Sequence, residues 1–322
     1  MDSQIIRDVL IERIFQVMLK NDDIFFVSAD FGAPALDRLR EQCGDRFINV
    51  GIAEQNLINI ATGLALEGWV VYAYGIAPFL TMRAYEQIRT NLSILSQVRE
   101  VNVNLIGVGA GLSYDVTGPT HHCLEDSSIM RLLPNFVVFS PCDSVTAERF
   151  VDYSVAIKKP KYLRLDGKAQ PRVYQDGSQM SMEIGFCELR KGAEVGIVAT
   201  GYMTHKALRV AEALSKHGIQ AGVVDVFMLK PLNEALLYGW LKKYPSLVTM
   251  EESFIKKGGL DTLVADLIGE HGWRSGLTRL GFTDRYVFDV GDREHLHAVN
   301  GLDEGTIVTT ILKRKAVQRS TQ

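Results

Sequence analysis

One carboxylate in an apolar stretch is the first candidate for chemistry in this sequence. In FINVGIAEQN, residues 47–56, a strand-like run meets Gly51, and Glu54 then begins a segment with a helical pattern. Its apolar positions recur at the spacing of a core-facing helix, and they are Leu57, Ile58, Ala61, Leu64 and Ala65. Glu54 is predicted on the same stripe. Either it complements the helix dipole, or it is a desolvated carboxylate that shares a proton with a ligand nitrogen.

A loop with two histidines is the second candidate. YDVTGPTHHCLED, residues 114–126, is broken by Gly118 and Pro119 and then carries His121 and His122. Adjacent histidines point in different directions in most local conformations, so we do not expect them to chelate a metal together. The preceding GVGAGLS ends a predicted strand, and open α/β sheets bind ligands at the carboxyl ends of their strands. This placement favours a functional loop over a purely structural histidine.

The other patterns in the sequence give weaker evidence of function. GVGAG (107–111) lacks the spacing of a dinucleotide loop. His295 and His297 form an H-x-H without a third ligand at suitable spacing, and we expect exposed residues there. RAYEQIR (83–89) is expected to present a solvated or interfacial helix face. The sequence predicts no metal site in this chain.

The elements that must position these residues alternate between strand and helix, which is typical of α/β proteins with parallel sheets. In the first half, helices are predicted at 4–20, 53–67 and 82–97 and from about 145, and strands at 24–29, 69–74, 101–108 and 136–140. Residues 167–183 lose all periodicity and are interpreted as a linker. A second alternating unit follows, with strands at 194–200, 219–227 and 247–250 and helices at 203–216 and 259–270. Two open, mostly parallel, doubly wound sheets are the predicted fold.

Composition excludes several classes of protein. The chain has 322 residues, 47% of them hydrophobic and 23% charged, and a net charge of −3, which argues for two globular domains and against a general nucleic-acid binder. Four scattered cysteines without a CxxC pair fit a reducing cytoplasm. No signal-like segment and no membrane-spanning apolar run is found, so we expect no membrane association.

An ordered set of segments resembles the carboxyl-terminal half of transketolase over about residues 1–315. The set comprises GIAEQN, RAYEQIR, GPTHH, SPCD, VVDVFMLKPL, MEES and GGL. The resemblance implies a pyrimidine-binding domain (1–170), a linker (171–185) and a transketolase C-terminal domain (186–318). It also implies the transfer of a two-carbon ketol unit from a ketose to an aldehyde or ketone acceptor.

The resemblance gives the carboxylate in GIAEQN a purpose. In transketolase-like enzymes the residue matching Glu54 contacts N1′ of the aminopyrimidine of thiamine diphosphate and promotes the tautomer that activates the thiazolium carbon. Phe79 matches an aromatic residue that stacks on the pyrimidine, while its usual aromatic companions are replaced by Ile76 and Met82. Asp30, in SADF, matches an aspartate near the cofactor.

The same resemblance implies a substrate cleft. His121 matches a histidine that lies over the reacting carbons, and Arg7 and Arg164 match two arginines that grip a sugar phosphate.

Three positions in the cleft depart from the family. Gly109 stands where the family has a histidine, Thr117 where it has an aspartate and Pro34 where it has a serine. Loss of such polar partners acts strongly against a polar substrate, so we expect an atypical acceptor, such as a sugar with a different phosphate placement or a nucleotide-linked sugar.

A further implication concerns a second chain. The family binds the diphosphate through Mg²⁺ held by a G-D-G…N motif, and this sequence has no such motif. We therefore expect an N-terminal transketolase subunit to hold Mg²⁺ and the diphosphate, in a heterotetramer. The alternatives are the β subunit of a 2-oxoacid dehydrogenase or another thiamine diphosphate-dependent synthase that forms C–C bonds, and a non-catalytic scaffold subunit.

Overall fold

Three β-sheets and the helices around them make up the protein, whose computed structural model describes residues 3–273 and 276–320. The strands are β1 (Ser3–Ile5), β2 (Ile24–Ser28), β3 (Phe47–Asn49), β4 (Val70–Ile76), β5 (Val103–Val108), β6 (Val137–Phe139), β7 (Lys161–Leu165), β8 (Ala169–Pro171), β9 (Phe186–Arg190), β10 (Val195–Ala199), β11 (Ala221–Val226), β12 (Met228–Lys230), β13 (Ser246–Phe254) and β14 (Gly276–Phe282). The α-helices are α1 (Ile6–Met18), α2 (Leu36–Gln42), α3 (Glu54–Leu66), α4 (Tyr85–Gln87), α5 (Asp126–Leu132), α6 (Ser144–Ala156), α7 (Tyr202–Ser215), α8 (Glu234–Leu241), α9 (Leu260–Glu270), α10 (Arg293–Val299) and α11 (Glu304–Ser320). Among the described residues, no helix has both the length and the apolar character needed to cross a bilayer.

The first sheet has seven strands in the order β12-β6-β7-β5-β4-β2-β3. All neighbours are parallel except β12, which runs antiparallel to β6 at one edge. Every residue of β5 and β7 is buried, as expected for parallel strands covered on both faces. Helix α3 contributes to the core on one face, and α1 and α6 contribute to the core on the other. The carboxyl ends of β2, β4, β5 and β7 therefore form one edge where loops can build a site.

The second sheet has five strands in the order β14-β13-β10-β11-β9, with only β9 antiparallel to its neighbour. Helices α7 and α11 pack over one face together with α10, around a core that includes Val210, Leu296 and Ile307. The prediction of two open, mostly parallel, doubly wound sheets is confirmed.

The segment interpreted as a linker is integrated into the fold. β8 pairs antiparallel with β1, so residues 169–171 belong to a small third sheet. Beyond it, the backbone amides of Val173 and Tyr174 donate to Asp143 Oδ2, and the Tyr174 hydroxyl donates to Asp225. Asp143 also caps α6 through the Thr146 amide, as the sequence predicted. The segment predicted as a linker therefore runs between the two domains as ordered turns that are hydrogen-bonded to both of them.

The helix predicted at 82–97 is irregular in the structure. The chain forms π-helical turns at Phe79–Arg83 and Ile88–Ile94 around the short α4. Such turns insert an extra residue and reorient the side chains beside them, and they are frequent at functional sites. This irregular segment carries the aromatic residue predicted to face a cofactor.

Candidate functional site

A short polar chain fixes the turn that leads into α3. Asp30, two residues after the end of β2, adopts a left-handed backbone (φ 53°), a conformation that is uncommon for residues other than glycine. The Asn49 amide donates to Asp30 at 2.8 Å and accepts from the Gly51 amide at 3.0 Å. Gly51 itself has φ 76°. The strand ends of β2 and β3 are thereby linked, and the first residue of α3, Glu54, is placed at the carboxyl edge of the sheet.

Glu54 is a buried carboxylate with a side chain only 4% exposed. Its Oε2 accepts from Arg83 Nη1 at 2.6 Å. The same guanidinium lies 4.7 Å from the centre of the Phe79 ring, which is cation–π range. Helical periodicity predicted the inward direction of Glu54, and the structure confirms it.

Phe79 connects this carboxylate to the histidine loop. The Phe79 and His121 rings meet edge to face, with centres 5.2 Å apart. Ile76, at the end of β4, is half-buried, and Met82 is exposed. The structure therefore brings together three sequence-predicted site residues, Glu54, Phe79 and His121, while Ile76 and Met82 flank Phe79 along the chain.

The histidine loop is anchored from the opposite side. Asp115 is buried and accepts from Lys168, from its neighbour's amide and from the Arg293 amide at 2.8 Å. These bonds hold the pKa of Asp115 below its ordinary value even though burial opposes the shift. His122 Nε2 lies 3.2 Å from the Asp115 carbonyl, and burial lowers the pKa of His122. His121 is half-buried beside Thr120, so the two histidines are in different environments and His121 is the one that faces the site.

The three departures have different surroundings. Gly109 has φ 103°, and a Cβ built on it would lie 2.3 Å from a ring carbon of Tyr114. Thr117 is exposed and donates its amide to the Tyr114 carbonyl. Pro34 is exposed and lines a surface cavity of about 550 Å³ between α1 and α2. At Gly109 the space of the missing side chain is filled by the Tyr114 ring.

The two predicted phosphate-binding arginines are not equivalent. Arg7 is partly exposed, and its Nε donates to Asp8 at 2.7 Å. Arg164 is buried, forms an ion pair with Asp126 at 2.9 Å, and donates to the backbone carbonyls of Cys123 and Glu252. Arg164 joins the two domains, because its partners Asp126 and Glu252 lie in different domains. Its Nε and Nη2 are engaged inside the protein, and this geometry does not support the predicted role in phosphate binding.

A buried ionic cluster seals the interface between the domains. Arg293 binds Glu252 with two nitrogens and Asp166 with a third, and its guanidinium stacks 3.5 Å from the Tyr202 ring centre. His297 is fully buried, and its Nε2 donates to Glu252 Oε1 at 2.6 Å. The prediction of an exposed His297 is wrong because its partner lies 45 residues away in the sequence. His295 is exposed, as predicted.

Two functional candidates escaped the sequence. Arg83 lies on the helix face that was predicted to be solvated or interfacial; its side chain is 47% exposed, and it also contacts Glu54 and Phe79. Tyr114 was treated as the start of a loop, yet it fills the space above Gly109. The π-helical turn that carries Arg83 has no local sequence signal, whereas two glycines that follow neighbouring strands, opposite a loop tyrosine, could have indicated Tyr114.

Comparisons with known proteins agree over both domains. Residues 4–171 match the family Transketolase, pyrimidine binding domain, and residues 187–307 match Transketolase, C-terminal domain. The chain is 32% identical to one of the subunits of the apulose-4-phosphate transketolase of Actinobacillus succinogenes, covering 97% of this chain and 98% of that protein. It is also 32% identical to the 6-deoxy-6-sulfo-D-fructose transketolase subunit SqwH of a Clostridium species, covering 94% and 92%.

The chain belongs to the transketolase family and corresponds to the carboxyl-terminal subunit of a split transketolase. A solved structure described as a split gene transketolase, inactive beta4 tetramer, superimposes with a TM-score of 0.85 at 32% identity, over 96% of this chain and 97% of that one. The transketolase of Campylobacter jejuni shares the fold, with a TM-score of 0.81 at 18% identity over 97% of this chain and 47% of that one.

The family implies thiamine diphosphate, and the residues present fit part of it. The Arg83 guanidinium is a planar group with N–H donors, and it is seated on the Phe79 ring while bonded to Glu54. An aminopyrimidine ring needs the same two partners, a flat apolar surface such as the Phe79 ring and an acceptor for a ring N–H such as Glu54. In the described part of the chain, no group of His, Cys, Asp or Glu side chains could hold a metal ion. The fit therefore covers the ring end of the cofactor.

Proposed function

We propose that this chain is a subunit of a thiamine diphosphate-dependent enzyme of carbohydrate metabolism that transfers a two-carbon ketol unit between a ketose and an aldehyde or ketone. The observation that carries the proposal is the joint placement of buried Glu54, the Phe79 ring and His121 at one sheet edge. When bound, thiamine diphosphate supplies the electron sink for breaking and forming the carbon–carbon bond.

On the cofactor side, Glu54 would accept or share the proton of a ring nitrogen. Its burial excludes water, which strengthens that interaction. Phe79 would stack on the ring, with Ile76 and Met82 giving apolar contacts in place of further aromatic residues. Asp30 would stabilise the turn at the cofactor's edge through Asn49. Arg83, which is about half exposed, must move aside or share Glu54 when the ring enters.

On the substrate side, His121 would contact the reacting carbonyl or hydroxyl groups, because its half-buried ring lies against Phe79. Arg7 would bind an anionic group through its terminal nitrogens. Thr117, exposed in the same loop, would face the acceptor. Two relatives are named for apulose-4-phosphate and for 6-deoxy-6-sulfo-D-fructose, which supports an acceptor or donor that is a sugar with an anionic group.

A partner subunit would complete the site. An N-terminal transketolase subunit would hold Mg²⁺ and the diphosphate, giving a heterotetramer in which the cofactor bridges two kinds of chain. Exposed apolar side chains next to the site, Ile52, Met82 and Val116, are suited to an interface of this kind. All four cysteines are buried free thiols, which supports a cytoplasmic location.

The test is reconstitution of the full chain with its partner subunit, thiamine diphosphate and Mg²⁺. We expect ketose-dependent formation of a new aldose or ketose, measured by mass spectrometry of the sugar products. Oxoacid decarboxylation without ketol transfer would instead identify a 2-oxoacid dehydrogenase β subunit. Assembly without turnover on either class of substrate would identify a non-catalytic subunit, and both of these results would overturn the proposal.

A further inference from the structure

A groove between the two domains is lined by an arginine that has no ion-pair partner among the described residues. The groove has a volume of about 330 Å³ and lies between α5 of the first domain and the start of α9 in the second. Ser128, Arg131 and Leu132 line it from α5, and Lys257, Thr262 and Asp266 line it from the second domain. None of these residues takes part in the proposed contacts with the cofactor or the substrate.

Backbone carbonyl groups hold Arg131 in the groove. Its Nη1 donates to the carbonyls of Gly258 and, at 2.7 Å, of Gly259. Its Nε is buried and has no hydrogen-bond partner in the described chain. Burial lowers the pKa of Arg131, because the acidic residues around it, Glu251 and Asp266 among them, do not offset the cost of burying the charge.

Lys230, on β12, is a second partly buried cation beside Arg131. Its Nζ donates to the backbone carbonyls of Arg131 at 3.0 Å and of Leu133 at 2.5 Å. Burial and the charge of Arg131 both lower the pKa of Lys230. Buried charges in proteins are normally paired with an opposite charge. Two neighbouring cations that are bonded to carbonyl groups instead leave an excess of positive charge at the groove.

A hydroxyl group without a partner lies on the same side of α5. The Ser128 oxygen is buried and has no hydrogen-bond partner in the described chain, and Ser128 precedes Arg131 by three residues, so both lie on one face of the helix. A Cβ built on Gly258 would lie 3.9 Å from this oxygen, so the hydroxyl is close to the loop that enters α9. Unsatisfied buried polar groups are rare and mark places where a ligand, an ion or water binds.

The amino terminus of α9 does not supply the donors. The amides of Leu260 and Asp261 already donate to Glu251, at 2.9 Å and 2.7 Å. Side chains remain, and Lys257 is one of them, because its ion pair with Asp284 at 3.3 Å joins two exposed residues and is weak. An arginine fork, an ammonium group and a hydroxyl together are donors that suit the oxygens of a phosphate group.

We propose that this groove binds a phosphate group, either free or carried by a small organic molecule, through Arg131, Ser128 and Lys257. Leu132, which is 75% exposed, gives an apolar surface for the organic part of such a ligand. The ligand would contact both domains, because Arg131 lies in the first and Lys257 in the second. Binding should therefore stabilise the folded chain. The inference goes beyond the proposed function and does not depend on catalysis.

The test is isothermal titration calorimetry of the full chain with inorganic phosphate, then with glycerol 3-phosphate, and with glycerol as the neutral control. We expect saturable binding of the ligands that carry a phosphate group and none of glycerol. Tighter binding of glycerol 3-phosphate would identify an organic phosphate as the ligand, and equal or weaker binding would identify free phosphate. Absence of saturable binding for both ligands would overturn the inference.

Two variants place the binding in the groove. Ser128→Ala removes a hydroxyl that has no partner in the described chain, so we expect an unchanged melting temperature without ligand. We expect Kd for the phosphate ligand to rise about tenfold, the effect of one lost hydrogen bond to a charged group. Arg131→Gln should abolish saturable binding, and its stability should fall because the bonds to the α9 loop are lost.

Ser140→Ala is the matched control, because the Ser140 hydroxyl is also buried without a partner in the described chain but does not line the groove. Wild-type affinity in Ser128→Ala, an equal loss of affinity in Ser140→Ala, or binding retained in Arg131→Gln would each overturn the inference.

Discussion

Two of the buried glutamates, one at the interface between the domains and one at the edge of the first sheet, have different surroundings. Glu252, at the interface between the domains, accepts from two nitrogens of buried Arg293, from His297 and from the Leu112 amide. Glu54, at the sheet edge, has a hydrogen bond from Arg83, whose side chain is 47% exposed. The first carboxylate is bound by buried groups, and the second by a group that is about half exposed to solvent. Burial alone therefore does not separate the two carboxylates; the exposure of the groups bound to them does.

The largest effect is expected from a substitution of Glu54, the carboxylate at the sheet edge. Glu54→Gln keeps the shape of the side chain and a hydrogen-bonding oxygen but cannot take up a proton. We expect turnover of the reconstituted complex to fall by about 10²–10⁴-fold, the usual contribution of a positioned acid–base group, with assembly retained. Steady-state kinetics and size-exclusion chromatography measure the two properties.

The control for this change is Glu67→Gln, an exposed glutamate at the other end of the same helix. Wild-type rates in Glu54→Gln would remove Glu54 from the mechanism.

Glu252→Gln tests the contribution of the ionic cluster at the interface between the domains to stability. The substitution leaves the buried Arg293 with Asp166 as its remaining acidic partner. Removal of one member of a buried ion pair destabilises proteins by about 3–5 kcal/mol, and we expect the lower part of that range because Asp166 remains. Urea denaturation measures the free energy of unfolding, with exposed Glu148→Gln as the control. A loss of unfolding free energy no larger than that of the control would mean that the cluster does not hold the domains together.

The stability that Glu252 contributes should depend on pH. Burial opposes ionisation of Glu252, but Arg293 and His297 hold its pKa well below the ordinary value of 4.5. A carboxyl group with a lowered pKa stabilises the folded state above its unfolded pKa, and this stabilisation is lost as the pH falls through the folded value. The stability difference between wild type and Glu252→Gln should therefore be full above pH 4.5 and shrink in more acidic solution. A difference that stays constant down to acid unfolding would contradict the assignment.

The smallest change in stability is expected from a substitution of Arg83, the exposed partner of Glu54. Arg83→Gln removes the cation beside Glu54. Because Arg83 is about half exposed, solvent screens the pair, and we expect a change of about 1 kcal/mol or less in the free energy of unfolding. Arg293→Met, by contrast, should destabilise strongly. Thermal denaturation of the two variants side by side tests the contrast, which fails if both lose equal stability.

Periodicity was enough to predict α3 and the inward direction of Glu54, because both depend on residues within two helical turns. The alternation of strands and helices likewise predicted the two sheets. Partners far apart in sequence were not predictable: Arg83 lies 29 residues from Glu54, and Asp115 meets Arg293 across 178 residues. The pairing of β1 with β8 was missed for the same reason, since three-residue strands have almost no pattern of their own.

Strand β12 has a consequence for how this polypeptide can be divided. It follows β11 of the second sheet, yet it completes the first sheet by pairing with β6. A fragment ending before residue 186 would leave the backbone groups of β6 uncovered, and an uncovered strand edge recruits other chains. The complementary fragment would carry β12 with nothing to pair against. The two domains thus share this strand, and an expression fragment of the first domain has to include β12 to keep the β6 edge covered.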